Sequence, residues 1–521
     1  MGVRSLVAAF VVLLLAPTAN AADDAWTREA KAARTALSRS ADAGYLTSLD
    51  RDRYLGILRH ARAVRDRVPP LRAQLLDEML ARVAKPKSPT ASRALTLYEA
   101  LRENTDYLDR NRVPADGTDV TATDGIVYRF FAGKGFAFHP LANASRLNAL
   151  TAAGKIDEAR TLVDALAART MPQPDGAVVW EYQFDFGKVH APWTSGMAQA
   201  VMAQALARAG SLELARRAYR AIPGRLDREL PAGPWVRLYS GSGEVVLNAQ
   251  LQSAISLGDY ADLAQDPDAA GYADRLLEAA RALLPRFDTG HWSRYSLGAE
   301  STLHYQTYVI DLLTTLAKRT GDTAWTDAAE RFELYETQPP ALTSPSVTSV
   351  VYPRPEDGVR DELVVRFRLS KPSKVALVVD GEAVDGSTWT GGWHTFRWTP
   401  RKLAPGTHAV RLVARSTDGH PGEATLPSFS VERDATPPEL AATKAGGRVY
   451  WSAKDRESAC CRLRLELRRG AEQRVVPLTR TRGAAAIPSG YWLVTAVARD
   501  TAGNVTRHNL GLVVGHKTRP E

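Results

Sequence analysis

The spacing of apolar residues changes once along this chain, at the proline-rich connector TQPPALTSPSVTSVVYPRPEDG around Pro339, and that change limits the folds available. Before it, apolar residues recur at spacings of three and four, as in PLRAQLLDEMLARVA and SGMAQAVMAQALARAG, a pattern that gives a helix one apolar stripe. After it, DELVVRFRLS, SKVALVVDG, WHTFRWTP and HAVRLVARSTDG alternate in twos, which gives a strand one apolar face. The expectation is therefore a helical part followed by β-sandwiches, and 521 residues are too many for one compact domain.

The helical part has its own grain. From Asp23 to about Arg110 the segments AWTREAKAARTAL, LDRDRYLGILRHARAV and PLRAQLLDEMLARVA are amphipathic and carry no chemistry of their own. Near Gly117 the texture shifts: GIVYRFFAGKGFAFHP alternates aromatic and small residues around Gly133 and Gly135, a short hairpin leading into a helix. Paired helices follow at intervals of roughly 30–50 residues, which predicts an (α/α) toroid or an α-solenoid.

Beyond the connector, a first sandwich of immunoglobulin type is expected over 339–432 and a second over 433–516, the latter from GRVYWSAKD, CCRLRLELRR and YWLVTAVARDTAGNV. Its ARDTAGN ending resembles bacterial immunoglobulin-like modules, which act as spacers or weak glycan binders. Trp389, Trp393, Trp398 and Trp492 have two readings, sugar platforms or core residues.

The first 21 residues, with Arg4, the apolar run Leu6 to Leu15, Pro17 and an Ala-Asn-Ala ending, read as a secretory leader cleaved near Ala21. No later segment approaches ~18 uninterrupted apolar residues, so no membrane span is expected once the leader is removed. The formal charge of +9 is scattered over the chain. A scattered basic excess favours polyanions weakly, and with no nucleic-acid motif present the partners it supports outside the membrane are acidic (uronic-acid) polysaccharides or teichoic acids. The only two cysteines, Cys460 and Cys461, are adjacent, and two thiols are the expected state because the ring closed by neighbours is strained. No cofactor and no metal ligand set is assigned.

Four polar-aromatic clusters stand at helix entrances, where a rigid scaffold positions site loops: Trp180 to Trp193, Pro234 to Asn248, Asp288 to Gly298 and Glu300 to Tyr308. The stretch FDTGHWSRYSLGAESTLHYQTY is the densest in aromatic, hydroxyl and ionisable groups, as a carbohydrate site requires. On a helix beginning at Glu300, His304 and Tyr308 fall on one face, with Tyr305 about 100° away.

The order APWTSGMAQA, VVLNAQLQS, RFDTGHWSRYSLG and LHYQTYVIDLL resembles the C-terminal helical domain of the D-glucuronyl C5-epimerase family, over roughly residues 120–335. The family pattern of a Trp-x-Ser helix start, a Leu-Asn-Gly helix, an Asp-Thr-Gly turn with a tyrosine five residues on, and a further tyrosine-bearing helix corresponds to Trp193–Gln199, Leu247–Asn248, Asp288–Gly290 with Tyr295, and Tyr305. The resemblance implies inversion at C5 of a uronic acid within a polymer, with Tyr295, Tyr305 and Tyr239 as the proton-transfer residues. Trp193 and Asn248 stand at matched positions as substrate contacts, and the residues themselves add Arg294 and Arg237 as carboxylate clamps or phenol activators, His304, Glu181, and His139 as a cleft wall or part of a packed hairpin core; family members often dimerise, which allows a homodimer. The chain departs from the pattern at Gly298, where the family has an arginine, and in reading Leu-Asn-Ala for Leu-Asn-Gly.

The chain is thus expected to be a multidomain α plus β protein. A leader (1–21) precedes an N-terminal helical region (22–116), an epimerase-like (α/α) toroid-like domain with a β hairpin (117–338), and two immunoglobulin-like β-sandwiches (339–432 and 433–516). Two other functions stay open. A polysaccharide lyase begins with the same proton abstraction, and a glycoside hydrolase needs two carboxylates, for which Glu181, Asp185, Glu244 and Glu300 are available. A non-catalytic glycan-binding protein needs neither.

Overall fold

The computed structural model describes residues 19–516 apart from 355 and 357. The leader expected over 1–21 lies outside the described residues except for its last three, which belong to the helix Ala19–Asp42. Contacts divide the chain into two compact units, the first running to Thr289 with Arg294–Ala299 and Thr307–Ala329, the second comprising Gly290–Ser293, Glu300–Gln306 and everything from Glu330. No helix among the described residues is long and apolar enough to cross a membrane.

In the first unit, the four helices Ala19–Asp42, Ser48–Arg65, Pro70–Ala84 and Ala91–Arg110 share one hydrophobic core with the helices that follow. That core runs from Trp26 to Leu276, straight across the boundary expected at 116/117. The hairpin Val127–Phe131 and Gly135–Phe138 joins the two groups, with Phe136 packed edge-on to Tyr107 and its backbone held by the buried Asn104 side chain. Asn104 also explains why Gly135 is glycine, because a Cβ there would overlap its Oδ1.

The later helices alternate between two layers. Pro140–Ala152, Gly196–Arg208 and Leu247–Ala264 pack successively on one another, and each is backed by the helix that follows it, Ile156–Ala167, Leu212–Arg220 and Pro267–Leu283. The sequence decides the layer. Gly196 to Ala207 is apolar or small nearly all round and buried throughout, which only an inner helix tolerates, whereas Leu212–Arg220 is strongly amphipathic and buries Ala215, Ala218 and Tyr219. This inner and outer alternation is the (α/α) toroid-like arrangement.

A buried glutamine recurs in the inner helices. Gln199 donates to Val178 O and Ala218 O, while Gln250 accepts from Val236 N and donates to Pro234 O and Leu276 O. Each one adds hydrogen bonds to buried backbone groups of the preceding β ribbon and of the outer helix, tying the three elements together. Within the second unit, Gln306 does the same for Ser293 N and Phe332 O.

In the rest of the second unit, among the described residues, the first sandwich sets the sheet Leu342–Val347, Leu363–Leu369, Gly392–Trp398 beside a sheet ordered Val350–Val351, Pro421–Val431, Gly406–Ser416, Ser373–Val379, Glu382–Trp389. Alternation along Leu363–Leu369 sends Leu363, Val365, Phe367 and Leu369 into the core. The second sandwich pairs Glu439–Ala445, Arg448–Lys454, Arg482–Ala486 with Glu472–Leu478, Arg462–Arg469, Gly490–Arg499, Val505–Gly515. Trp492 is buried in its core, while Trp393 is half-exposed with the Arg366 guanidinium 4.5 Å above its ring. Cys460 and Cys461, the chain's two cysteines, are joined as a disulfide in the segment entering Arg462–Arg469, where two thiols were expected.

Candidate functional site

The segment between Val178–Val179 and the helix Gly196–Arg208 folds back on itself, with Tyr182 and Trp193 exchanging backbone hydrogen bonds of 2.7 and 3.1 Å and Phe186 paired to Val189. This ribbon collects aromatic rings. Tyr182 stacks on Trp193, Phe184 packs on Phe131 at 4.4 Å, and Tyr239 meets Trp193 at 5.3 Å and Phe186 at 5.8 Å. His139 caps the helix Pro140–Ala152 by accepting from Ala142 N at Nδ1, and its ring stacks against Phe131. Burial, and then the charge of Arg129, press the His139 pKa down to about 3, so its imidazole is neutral at any ordinary pH.

Beside this wall lies a cavity of about 440 Å³ lined by Arg82, Lys85, Arg93 and Lys134 against the carboxylates of Glu78 and Asp185. Phe184, Ala191 and Pro192 close it on the aromatic side. Arg82 is held by donation to Lys134 O and to Met79 Sδ, and burial lowers its pKa to about 10, which leaves it charged at neutral pH. Lys85 reaches Ala191 O at 3.3 Å and Asp185 at 3.9 Å. A cavity of mixed lining with a cationic excess and one aromatic wall suits a sugar ring bearing a carboxylate.

The sequence-derived residues divide as follows. Tyr239 and Tyr295 are both half-buried and pack against one apolar cluster, Met197, Leu238, Val246 and Ala249. Tyr295 is brought there by the strand Arg294–Ser296, which bridges to Val246, while Leu297 N donates to Val245 O. Arg294 precedes it on the same strand and so faces the opposite side. Asn248 is buried at the start of Leu247–Ala264, and its Oδ1 has no hydrogen-bond partner.

Three expected contacts are committed elsewhere. Arg237 donates to Asp227 O and Ser242 O, so it braces the loop that carries Tyr239. Trp193 is buried, with one face on Tyr182 and its indole N–H on Phe184 O, and serves as packing under Tyr239. Glu181 is bidentate to Arg93 and accepts from Gln183 Nε2, which ties the ribbon to the N-terminal helices.

Tyr305, His304 and Glu300 belong to the second unit. The helix begins at Leu303, after the short strand Ala299–Glu300, so Glu300 does not share the helical face expected for it; its Oε2 accepts from Gly391 N at 2.7 Å. His304 is exposed beside Tyr305, and burial raises the Tyr305 pKa. The basic cavity was missed in the sequence because its cations come from the end of one helix (Arg82, Lys85), the start of another (Arg93) and a hairpin turn (Lys134), with no local motif to join them.

Fold and site together define a helical (α/α) toroid-like domain followed in the chain by two immunoglobulin-like β-sandwiches. Residues 174–334 match the family model described as D-glucuronyl C5-epimerase C-terminus, the segment that carries Trp193, Tyr239, Asn248, Tyr295 and Tyr305. No curated protein sequence matches the chain. Among solved structures, the chain is similar to cellobiose 2-epimerase from Bacillus thermoamylovorans B4167 (12% identity, 51% of this chain and 74% of that one, TM-score 0.34). It is also similar to a D-mannose isomerase (15%, 38% and 59%, TM-score 0.27) and to fibronectin(III)-like modules of Clostridium thermocellum CbhA (13%, 35% and 100%, TM-score 0.25). At these scores the likenesses carry no argument about chemistry.

Proposed function

We propose that this protein is a secreted epimerase that inverts C5 of uronic acid residues within an acidic polysaccharide. The observation that carries the reading is the convergence of two half-buried phenols, Tyr239 and Tyr295, on one apolar cluster inside the segment that matches the epimerase family.

Inversion at C5 requires one group to take the proton from one face of the ring and another to return a proton to the opposite face. The electron pair left by the first transfer moves into the adjacent carboxylate, which then carries a second negative charge and needs cations or hydrogen-bond donors around it. Tyr295 and Tyr239 supply the two phenols, and the cations of the neighbouring cavity draw the polyanion in. The resemblance also names Tyr305, and a raised pKa holds that phenol protonated, as a proton donor must be.

Three of the four carboxylates available to a hydrolase are already engaged, Glu181 by Arg93, Asp185 by Ala191 N and Glu300 by Gly391 N, and the fourth, Glu244, is exposed. The deciding experiment is incubation of the leader-free protein with uronic-acid polymers in deuterated water. Deuterium at C5 with intact chains supports the proposal. An unsaturated uronate with new absorbance identifies a lyase, new reducing ends alone identify a hydrolase, and binding without exchange removes the enzyme reading.

A further inference from the structure

We propose that the second sandwich holds a calcium ion between Asp434, Asp455 and Asp500, fixing the connector from the first sandwich onto two loops of the second. One carboxylate oxygen from each residue lies within 4.8 Å of the others. Oxygens around Ca²⁺ sit at about 2.3–2.6 Å, so ligands on opposite sides of the ion are roughly 4.6–5.2 Å apart, and this cluster falls within that sphere.

The arrangement of the carboxylates separates anchoring from ligation. Asp434 Oδ1 accepts from Thr436 N at 2.9 Å, Asp455 Oδ1 from Glu457 N and Ser458 N at 2.9 and 2.7 Å, and Asp500 Oδ1 from Gly503 N and Asn504 N at 2.7 and 2.9 Å. The other oxygens of Asp434 and Asp455, their Oδ2 atoms, are buried with no hydrogen-bond partner, and Asp434 itself is 1% exposed. A buried, unpaired carboxylate oxygen is costly, and two of them beside a third carboxylate repel one another. Among the described residues no salt bridge neutralises any of the three. A hard divalent cation removes both penalties at once, and Ca²⁺ suits a dry all-oxygen site better than Mg²⁺, which gives up its water reluctantly.

The location assigns the consequence. Asp434 lies in the connector between the strands Pro421–Val431 and Glu439–Ala445, Asp455 follows Arg448–Lys454, and Asp500 follows Gly490–Arg499. Asn504 Nδ2 already ties Asp434 O to Asp500 Oδ2 at 3.0 Å each, so an ion would complete an existing knot. Arg433, exposed and next to Asp434, gives trypsin a cut site that reports on this connector.

The test uses the full leader-free chain after chelation and dialysis, titrated with CaCl2 in a calorimeter and digested with trypsin in parallel. The expected result is one Ca²⁺ equivalent per chain that Asp455→Asn and Asp500→Asn each abolish, with a weaker response to MgCl2. At 100 times its dissociation constant, Ca²⁺ should slow cleavage after Arg433 by about 100-fold, through the opening equilibrium. Asn keeps the Oδ1 acceptor, so circular dichroism of both variants should match the parent chain. The proposal is overturned if Ca²⁺ gives neither heat nor protection, or if both folded variants bind it as the parent does.

Discussion

Trp193 lies flat on Tyr182, with ring centroids 3.9 Å apart and planes 2° from parallel, and turns its edge to Tyr239 at 5.3 Å. The stack occupies one indole face and Phe184 O takes the N–H, so the tryptophan orients Tyr239 from below and does not offer itself to a sugar. An aromatic pair of this kind contributes about 0.5–1.5 kcal/mol beyond the area it buries. The pair therefore acts by positioning Tyr239, and the predictions start from that phenol.

Tyr295→Phe and Tyr239→Phe should each lower kcat by roughly 10²–10⁴, with KM little changed and the melting temperature preserved, because each loses a proton-transfer hydroxyl and keeps its ring. Tyr305→Phe, measured beside them, decides which phenol partners Tyr295. Where a variant exchanges deuterium at C5 as the wild type does, the tyrosine it lacks is not catalytic.

Lys85→Glu and Lys134→Glu reverse charges at the rim of the basic cavity. Each should raise KM for an acidic polymer several-fold, with kcat nearly constant, and should flatten the dependence of KM on salt, since rim charges act through a screened field. A neutral polymer of similar length should show no such effect.

Gln250→Leu leaves Val236 N, Pro234 O and Leu276 O buried without their side-chain partner. At about 0.5–1.5 kcal/mol for each of the three hydrogen bonds lost, the cost should be roughly 1.5–4.5 kcal/mol, read as a lower urea midpoint. Gln252→Leu, on the same helix and only part-buried, should cost less.

His139 makes the helical unit acid-sensitive. Its pKa falls from the ordinary histidine value of 6.5 to about 3 on folding, so below 6.5 the unfolded chain takes up a proton that the folded one refuses. Stability is therefore full above that value and declines as pH falls from 6.5 toward 3, by at most about 1.4 kcal/mol per pH unit. His139→Asn keeps an acceptor for Ala142 N without the titration, and its stability should fall less between pH 6 and 4 when followed by chemical denaturation.

The sequence by itself determined the classes of element and their order. Apolar spacing separates helices from strands at Pro339, the hairpin before Pro140 is written in alternating aromatics and glycines, and the motif order from Trp193 to Tyr305 points to one family segment. These properties are local, because burying one face of a helix or strand fixes the period of its residues. Tertiary structure alone decided which polar groups were already spoken for. Glu181 is used by Arg93, 88 positions away, and Arg237 by the carbonyls of Asp227 and Ser242. The cavity cations and the Asp434, Asp455 and Asp500 cluster also join residues with no regular spacing. A hydrogen bond or ion pair needs its partners within about 3 Å in space, and nothing in the period of a sequence records that distance.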